Sequence, residues 1–403
     1  MKLKVKRFSG RKVVNKLNDK LLNWASILEE NTQKQAELTS TMPFVMPHLA
    51  LMPDAHLGMG ATVGSVIPTV GAIMPAAVGV DIGCGMIAVR TQFTKDQLEG
   101  KDLAALRHSI ERSIPLSAGA YNKTITPSAQ ARIDELVEMA GDRNDFYHEL
   151  TKTEWGYHLG TLGSGNHFIE VTVDEEDRIW LFLHSGSRGI GNSIAQHHIK
   201  VAQDQMKRFY INLPDKDLAY LVEDTPEFDL YIRDLNWAQH FALLNREEMM
   251  DRVIHDFEHF MGEDVQESER VNCHHNFTQK EHHMGRDVWL SRKGAIQARG
   301  GQRGLIPGSM GTASYVVEGK GNPAAYCSAP HGAGRVWARR AASKHFTMDD
   351  MDKAMTGIEY NRSEAFLDEI PGAYKDIDVV IEDAKDLVDV VHTFHQIVNV
   401  KGD

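Results

Sequence analysis

Five polar clusters in this 403-residue chain carry residue types that bind metals or nucleotides. Asp81-Ile82-Gly83-Cys84-Gly85 follows an apolar run. A carboxylate and a thiol at i and i+3 around a glycine turn can reach one ion, although a buried cysteine in a tight turn is the plainer reading of this motif alone. In Gly163-Ser164-Gly165-Asn166-His167-Phe168-Ile169-Glu170, a strand starting at Phe168 would put His167 and Ile169 on one face and Phe168 and Glu170 on the other. His167 is then a candidate ligand, or a satisfied core histidine, and Asn166 and Glu170 can hydrogen-bond a nucleotide. His184-Ser185-Gly186-Ser187-Arg188-Gly189-Ile190-Gly191 reads as a strand end, a Ser/Gly loop and a helix start, which is a plausible phosphate cradle without the spacing of a Walker A loop. Cys273-His274-His275-Asn276 places adjacent histidines on opposite faces of a strand, so one of the two can face a site. In Cys327-Ser328-Ala329-Pro330-His331-Gly332-Ala333-Gly334-Arg335, an imidazole before a small-residue turn can act as a nucleophile toward phosphorus, and Arg335 can offset phosphoryl charge. Together these clusters supply enough ligands for a two-metal site with a bridging cysteine, for which ligand softness favours zinc or iron. Pro307-Gly308-Ser309-Met310-Gly311-Thr312-Ala313-Ser314 adds a loop suited to holding a nucleotide through backbone and hydroxyl groups.

The elements that must position these clusters can be read from periodicity. Leu17 to Gln35 fits an amphipathic helix, and helical patterns recur at Thr94 to Ile114, Pro127 to Ala140, Ile190 to Tyr210 and Phe228 to Gly262. Asp177 to His184 reads as a buried strand, and strand-like runs alternate with glycine turns from Val271 to Tyr326. Ala333 to Lys344 suggests a helix starting close to His331. The C-terminal region suggests a helix near Ile377 to Val390, then a short apolar strand ending at Lys401. His282 and His283 read as surface residues, and His197, His198, His392 and His395 as structural ones. Strands and helices do not alternate as a doubly wound sheet or barrel requires, no repeat or linker divides the chain, and candidate site residues span positions 50 to 401. The expectation is α+β: one large domain over residues 1–403, with a mixed sheet core surrounded by helices.

Composition narrows the function. The hydrophobic content of 42% supports a sizeable core, and the formal net charge of −12 argues against a protein that coats nucleic acid nonspecifically. Charge is uneven: Arg286 to Lys344 holds ten Arg and Lys against Asp287 and Glu318. That stretch is either a solvated surface or an anion-binding wall. Three widely spaced cysteines make no disulfide framework and fit a reducing compartment. Met1 to Lys16 is basic but lacks the apolar segment of a secretory signal. Ser65 to Val80 is too short for a membrane span and is broken by Pro68, Gly71, Pro75 and Gly79. The cytoplasm is the expected location, with no membrane association.

The same motifs, in order, resemble the RtcB-type RNA-splicing ligases. The resemblance rests on PDAHLGMG from Pro53, VGVDIGCGM from Val78, GTLGSGNHFIE from Gly160 and LHSGSRGIG from Leu183. It continues through NCHHNF from Asn272, RKGAI from Arg292, LIPGSMGTASY from Leu305, HGAGR from His331 and the terminal VNVKG. It implies a family-specific α+β fold and a GTP-dependent ligase that joins RNA 3′-phosphate or 2′,3′-cyclic phosphate ends to 5′-hydroxyl ends, in tRNA splicing or RNA repair. It implies two manganese ions, where softness alone suggested zinc or iron. By this resemblance Asp81, Cys84 and His167 hold one ion, and Cys84, His184 and His275 the other. His331 becomes guanylated. Asn166, His167, Phe168, Ile169, Glu170, His275, Asn276, Pro307, Gly308, Ser309, Met310, Ser314, Gly332, Ala333, Gly334 and Lys401 surround the guanylate. Only the resemblance finds Lys401, which otherwise reads as a solvated tail lysine. Arg188 and the basic stretch are the candidates for holding RNA backbone, and Asp54 and His56 read as supporting or structural. A monomer is expected, with room for an archease-type activating protein. The competing enzyme is a metal-dependent RNA phosphoesterase acting on cyclic or terminal phosphates, which would need the metals but no GTP pocket.

Overall fold

The computed structural model describes residues 5–7, 14–151 and 153–403. The basic segment Met1 to Lys16 lies largely outside them. Two sheets and a layer of helices surround the candidate site. The larger, eight-stranded sheet runs in the order Glu269–His274, Gly85–Thr94, Arg178–Ser185, Phe168–Val173, Val388–Val400, Ser314–Gly319 and Arg303–Ile306. Each neighbour along this path is antiparallel, and Glu359–Tyr360 adds in parallel to Val388–Val400. The six-stranded sheet runs Asn276–His283, Arg286–Lys293, Val63–Thr69, Leu49–His56, Leu21–Asn23 and Asn15–Asn18. The architecture is α+β, as expected.

Strand alternation explains the layering. Trp180, Phe182, Met86 and Ala88 face the six-stranded sheet and pack with its Met52, Val66, Val288 and Leu290. Their sequence neighbours Ile179, Leu181, Leu183, Ile87 and Val89 face the other way, onto Leu106 and Ile110 of the Leu103–Ser113 helix and onto Met249, Met250 and Val253 of the Pro226–Met261 helix. The central strands are therefore apolar on both faces, because both faces are covered. The Pro226–Met261 helix starts at a Thr225 cap and ends at Gly262 in the left-handed region.

That long helix also fixes the site loops. Asn245 is fully buried; its Oδ1 accepts from the backbone N–H groups of Gly160 and Thr161, and its Nδ2 donates to the carbonyls of Thr161 and Gly186. Arg246, also fully buried, donates to the carbonyls of Gly83 and Ser185 and to Asn272 Oδ1. Four sequence motifs, those holding Gly83, Gly160, Ser185 and Asn272, are thus tied to adjacent residues of one helix.

Several local expectations give way. Leu17 to Gln35 is not one helix: it forms the strands Asn15–Asn18, Leu21–Asn23 and Ile27–Glu29 before the Glu30–Ser40 helix begins. The Asn18 and Asn23 side chains accept from the backbone N–H groups of Lys20 and Ala25, turns that compete with helix, and burial of Leu21 and Leu28 overrides the helical spacing. The pattern from Thr94 splits into the short Lys95–Leu98 turn and Leu103–Ser113, because Asp102 caps a new helix. No helix starts at Ala333. Gly334 adopts φ +73°, and a Cβ there would lie 2.2 Å from the Asp54 carbonyl oxygen, so the chain stays irregular until Arg339–His345. The helix read near Ile377 to Val390 ends at Asp383, and the final strand is long, Val388–Val400. His283 is not a surface residue; it is largely covered and its Nε2 lies 2.8 Å from Glu281. Among the described residues no helix is long and apolar enough to cross a membrane.

Replacing Asn245 with alanine removes partners from several buried backbone groups at once. Urea denaturation should show a loss of roughly 2–4 kcal/mol.

Candidate metal and nucleotide site

The loops tied by the long helix bring the predicted metal ligands together. Asp81 and Cys84 sit on the turn leading into the Gly85–Thr94 strand, His167 precedes Phe168–Val173, and His184 is near the end of Arg178–Ser185. His275 lies between the two sheets, where its backbone N–H and that of Asn276 both bond the Cys84 carbonyl. Cys84 Sγ lies 3.4 Å from His167 Nε2 and 3.2 Å from His184 Nε2. His184 and His275 bring their Nε2 atoms within 2.8 Å of one another, and Asp81 Oδ2 lies 3.1 Å from His167 Nε2. Two groups result, Asp81–Cys84–His167 and Cys84–His184–His275, sharing the cysteine.

This donor set fits metal ions. His167 and His184 each direct Nδ1 at a backbone carbonyl, of Leu162 at 2.8 Å and of Asn166 at 3.2 Å. An Nδ1–H donated there leaves a lone pair on Nε2 of His184, 3.2 Å from the thiol, whereas Nε2 of His167 is shared between the thiol and Asp81 Oδ2. Burial, with the nearby imidazoles of His167 and His331 for His184 and of His331 and His184 for His275, holds both rings well below the ordinary imidazole range. The 2.8 Å gap between these two neutral rings is filled by one Nε2–H or by a cation, and a cation would satisfy both lone pairs at once. Burial raises the carboxyl of Asp81, but its hydrogen bond to His167 and the charges of His167 and Arg188 outweigh that and bring it down to about 2. Burial pushes the Cys84 thiol up, and a bound cation would reverse that. Gly186 lets Asp81 approach, since a Cβ there would lie 2.2 Å from Asp81 Oδ1.

Beside the metal donors is a cavity of about 300 Å³. Its wall includes Asn166, Phe168, Glu170, His184, His275, Asn276, the Pro307–Met310 loop, Ser314, His331 to Gly334 and Lys401. Almost every residue expected around a guanylate therefore meets in one place. Ile169 is the exception: its side chain is fully buried on the opposite face of the sheet, among the residues packed on the helices. His167 contributes through its carbonyl, which accepts from Lys401 Nζ at 3.1 Å. Lys401 is buried because its strand ends between Glu170 and Glu369, whose charges oppose the lowering of its ammonium pKa by burial. Glu170 is buried too. Desolvation raises its carboxyl to about 8, even though Asn399, Gln396 and Lys401 favour the charged form.

His331 stands between the metal donors and this cavity, with its ring centroid 4.5 Å from that of His275. The residue that orients it is Asp54, read from sequence only as supporting or structural. Asp54 Oδ2 accepts from His331 Nδ1 at 2.6 Å and from the backbone N–H groups of His331 and Gly332 at 3.0 and 3.2 Å. Asp54 is fully buried above Lys375, whose Nζ donates to the carbonyls of Ile27, Pro53 and Ala55. Burial lowers that ammonium to about 8 against the pull of Asp54 and Glu29.

The family match follows the same residues. The family model described as tRNA-splicing ligase RtcB matches residues 35–402. The chain belongs to the RtcB family. It is 46% identical over 389 residues to the RNA-splicing ligase RtcB of Escherichia coli K12, covering 93% of this chain and 95% of that one. The tRNA-splicing ligase RtcB of Pyrobaculum aerophilum is 31% identical over 421 residues, covering 88% and 87%. The RNA-splicing ligase RtcB of Mycobacterium bovis is 29% identical over 408 residues, covering 85% and 94%.

In this member of the RtcB family the basic stretch is divided: Arg286, Arg299, Arg340 and Lys344 are exposed, while other cations of the stretch turn inward. Arg292 is fully buried and paired with Glu281, and Lys293 is buried with Nζ donating to the Ala76 and Met59 carbonyls. Arg335 lines the cavity, but its guanidinium is held by Glu369, the Tyr374 hydroxyl and the Asp368 carbonyl. The sequence reading missed Lys293, Glu369 and Tyr374 as cavity residues. Arg188 sits at the start of the Arg188–Arg208 helix, with Nε donating to Thr161 Oγ1 and Nη1 3.3 Å from His167 Nδ1.

Two predictions test the site. Direct metal analysis after dialysis against a divalent cation should show Cys84→Ala losing both ions and His275→Ala losing one. A native carboxyl raised above its ordinary value of 4.5 contributes stability that is complete below that pH and lost as pH rises through about 8. Thermal melts should therefore show Glu170→Gln gaining on the wild type by roughly 1–3 kcal/mol near pH 9.

Proposed function

We propose that this chain is a GTP-dependent RNA ligase that joins an RNA 3′-phosphate, or a 2′,3′-cyclic phosphate opened by water, to a 5′-hydroxyl end. The observation that carries the reading is the placement of His331. Its Nδ1 is held by buried Asp54, which leaves Nε2 as the nucleophilic nitrogen. The ring stands at the boundary between the metal donors and a nucleotide-sized cavity.

Asp81, Cys84 and His167 would hold one manganese ion, and Cys84, His184 and His275 the other. When bound, the ions neutralise phosphate charge and lower the pKa of a nearby hydroxyl. Glu170, on the wall of the same cavity, would give up its proton on binding and offer a carboxylate to the N1–H and amino group of guanine. Adenine presents no such pair of donors on that edge. The Pro307–Met310 loop and Ser314 close around the nucleotide, and Lys401 supplies a buried cation. His331 Nε2 attacks the α-phosphorus of GTP, forming an N–P bond as pyrophosphate leaves. Asp54 accepts the Nδ1–H bond throughout and stabilises the cationic ring. A 3′-phosphate oxygen of RNA then takes the guanylate from His331, releasing the imidazole and leaving an RNA end capped through a pyrophosphate bond. The 5′-hydroxyl oxygen, losing its proton, attacks the RNA phosphorus of that cap; the phosphodiester forms, the pyrophosphate bond breaks and GMP leaves. A phosphoesterase would need no pocket of this size lined by Glu170 and Lys401 beside its histidine.

Protein incubated with α-phosphate-labelled GTP and manganese, then denatured, should keep the label. His331→Ala should lose it entirely, and Asp54→Asn should label at least about 100-fold more slowly, as expected when an orienting carboxylate is neutralised. Absence of label in metal-loaded wild-type protein would sink the ligase reading. Glu170→Gln should weaken GTP by roughly 10-fold or more.

A further inference from the structure

A second groove, of about 590 Å³, shares Met59 and Val80 with the wall of the catalytic cavity. It follows one face of the Arg188–Arg208 helix. Gln196, Lys200, Gln203 and Lys207 recur at helical spacing along it, with Lys216 from the next loop. The same helix begins at Arg188, beside His167, so its axis leads away from the metal donors. At 1.5 Å per residue it reaches ~30 Å from Arg188 to its last turn.

The groove is polar, with three lysines against two aspartates, in a chain whose net charge is −12. Lys200 and Lys216 are exposed and make no ion pair among the described residues. Asp204 is paired with Lys207 at 3.2 Å, and Asp217 accepts from Gln203. At the far end of the helix the chain exposes two successive aromatic rings. Phe209 is 60% exposed and Tyr210 93%. The Arg208 guanidinium lies 5.9 Å from the Phe209 ring centroid. Tyr210 adopts φ +55°, in the left-handed position where helices usually end on glycine. Its N–H bonds the Lys207 carbonyl and the N–H of Ile211 bonds that of Met206. The fold thus holds a large ring in solvent at a position where glycine would be less strained.

We infer that an RNA strand whose end lies in the catalytic cavity runs along this groove, its phosphates on Lys200, Lys207 and Lys216, and stacks a base on Phe209–Tyr210. This rests on the ligase reading for the identity of the strand. Amine and amide donors along the track, followed by a bare aromatic platform, match the two needs of single-stranded nucleic acid, backbone charge and base stacking. A protein partner would want an apolar belt, and the groove has none beyond its Met59, Ala76 and Val80 mouth and Ile199.

The test measures binding with fluorescent single strands, each carrying only one of the two reactive ends, so that none can be ligated. Strands of about 4 and about 12 nucleotides are compared by anisotropy. For at least one end type the long strand should bind wild type more tightly. The double variant Lys200→Glu, Lys207→Glu should remove that advantage, weakening the long strand roughly 10-fold or more and flattening its salt dependence. Tyr210→Gly, which relieves the backbone, should weaken the long strand about 5-fold or more while melting no lower than wild type, and Tyr210→Phe should restore affinity. Short-strand binding and labelling by GTP alone should be unchanged. If no long strand binds more tightly than its short form, or if the variants lower short and long strands equally, the track is wrong. Labelling by GTP separates this from the ligase reading. A wild type that labels while the track variants bind normally overturns the track alone. A wild type that never labels overturns the ligase, and the length comparison still decides whether the groove holds RNA.

Discussion

The structure is organised around the crowding of metal donors. Three imidazole nitrogens, a thiol and a carboxylate meet in one pocket, with His184 and His275 Nε2 only 2.8 Å apart. The surrounding fold holds this group together. The holding is done mostly by backbone: Nδ1 of His167 and of His184 against carbonyls, and the His275 and Asn276 N–H groups on the Cys84 carbonyl. The loops that carry these ligands are in turn bonded to Asn245 and Arg246 of one helix. A buried polar network of this kind is favourable only when each member finds a partner, and this one links ligands more than a hundred residues apart in sequence. The energy spent on arranging the donors is recovered when a cation fills the space between them.

His331 follows the same logic with a different partner. Its orientation comes from Asp54, which is fully buried and receives three N–H groups from the His331–Gly332 turn. A carboxylate so placed needs charge compensation, and the buried ammonium of Lys375 lies beneath it. Lys375 is itself held by three carbonyls, and its own N–H reaches back to the Gly334 carbonyl. The turn, the carboxylate and the lysine therefore form a closed circuit that sets one ring angle. Gly334 completes it, because any side chain there would strike the Asp54 backbone.

Much of the site could be read from sequence because its chemistry sits in contiguous motifs. Asp81 and Cys84, Asn166 to Glu170, His184 and His331 to Gly334 each lie within a few residues of glycine, and those glycines mark where backbone must approach closely. What could not be read is who supports whom. Asp54 stands 277 residues from His331, and no local pattern links them. Lys401 looks like a tail residue until strand order places the Val388–Val400 strand beside Phe168–Val173, which delivers it to the His167 carbonyl. Ile169 is expected at the guanylate only through its neighbours in the motif, and strand alternation turns its side chain away from Phe168 and Glu170. The segment from Leu17 failed because helical spacing of leucines is also compatible with short strands joined by asparagine turns. The large sheet was plainest at Arg178–Ser185, since a strand covered on both faces has the strongest signal, whereas the strand-like runs from Val271 to Tyr326 carried no mark of their partners or order.

Charge placement shows the least predictable economy. The basic stretch from Arg286 to Lys344 looked like a surface for phosphate, yet Arg292, Lys293 and Arg335 are turned inward to carboxylates and carbonyls. Cations fixed in this way cannot follow a flexible polymer, but they can hold a cavity wall rigid. A rigid wall keeps the ligand it holds in one orientation. Other cations stay solvated: Arg286, Arg340 and Lys344 of the same stretch, and Lys200 and Lys216 along and after the Arg188–Arg208 helix. The division follows from desolvation: a guanidinium taken out of water must be paired within the protein, so only the cations left in solvent retain charge to offer a strand. Composition sums both kinds of cation into one number, and only the fold separates them.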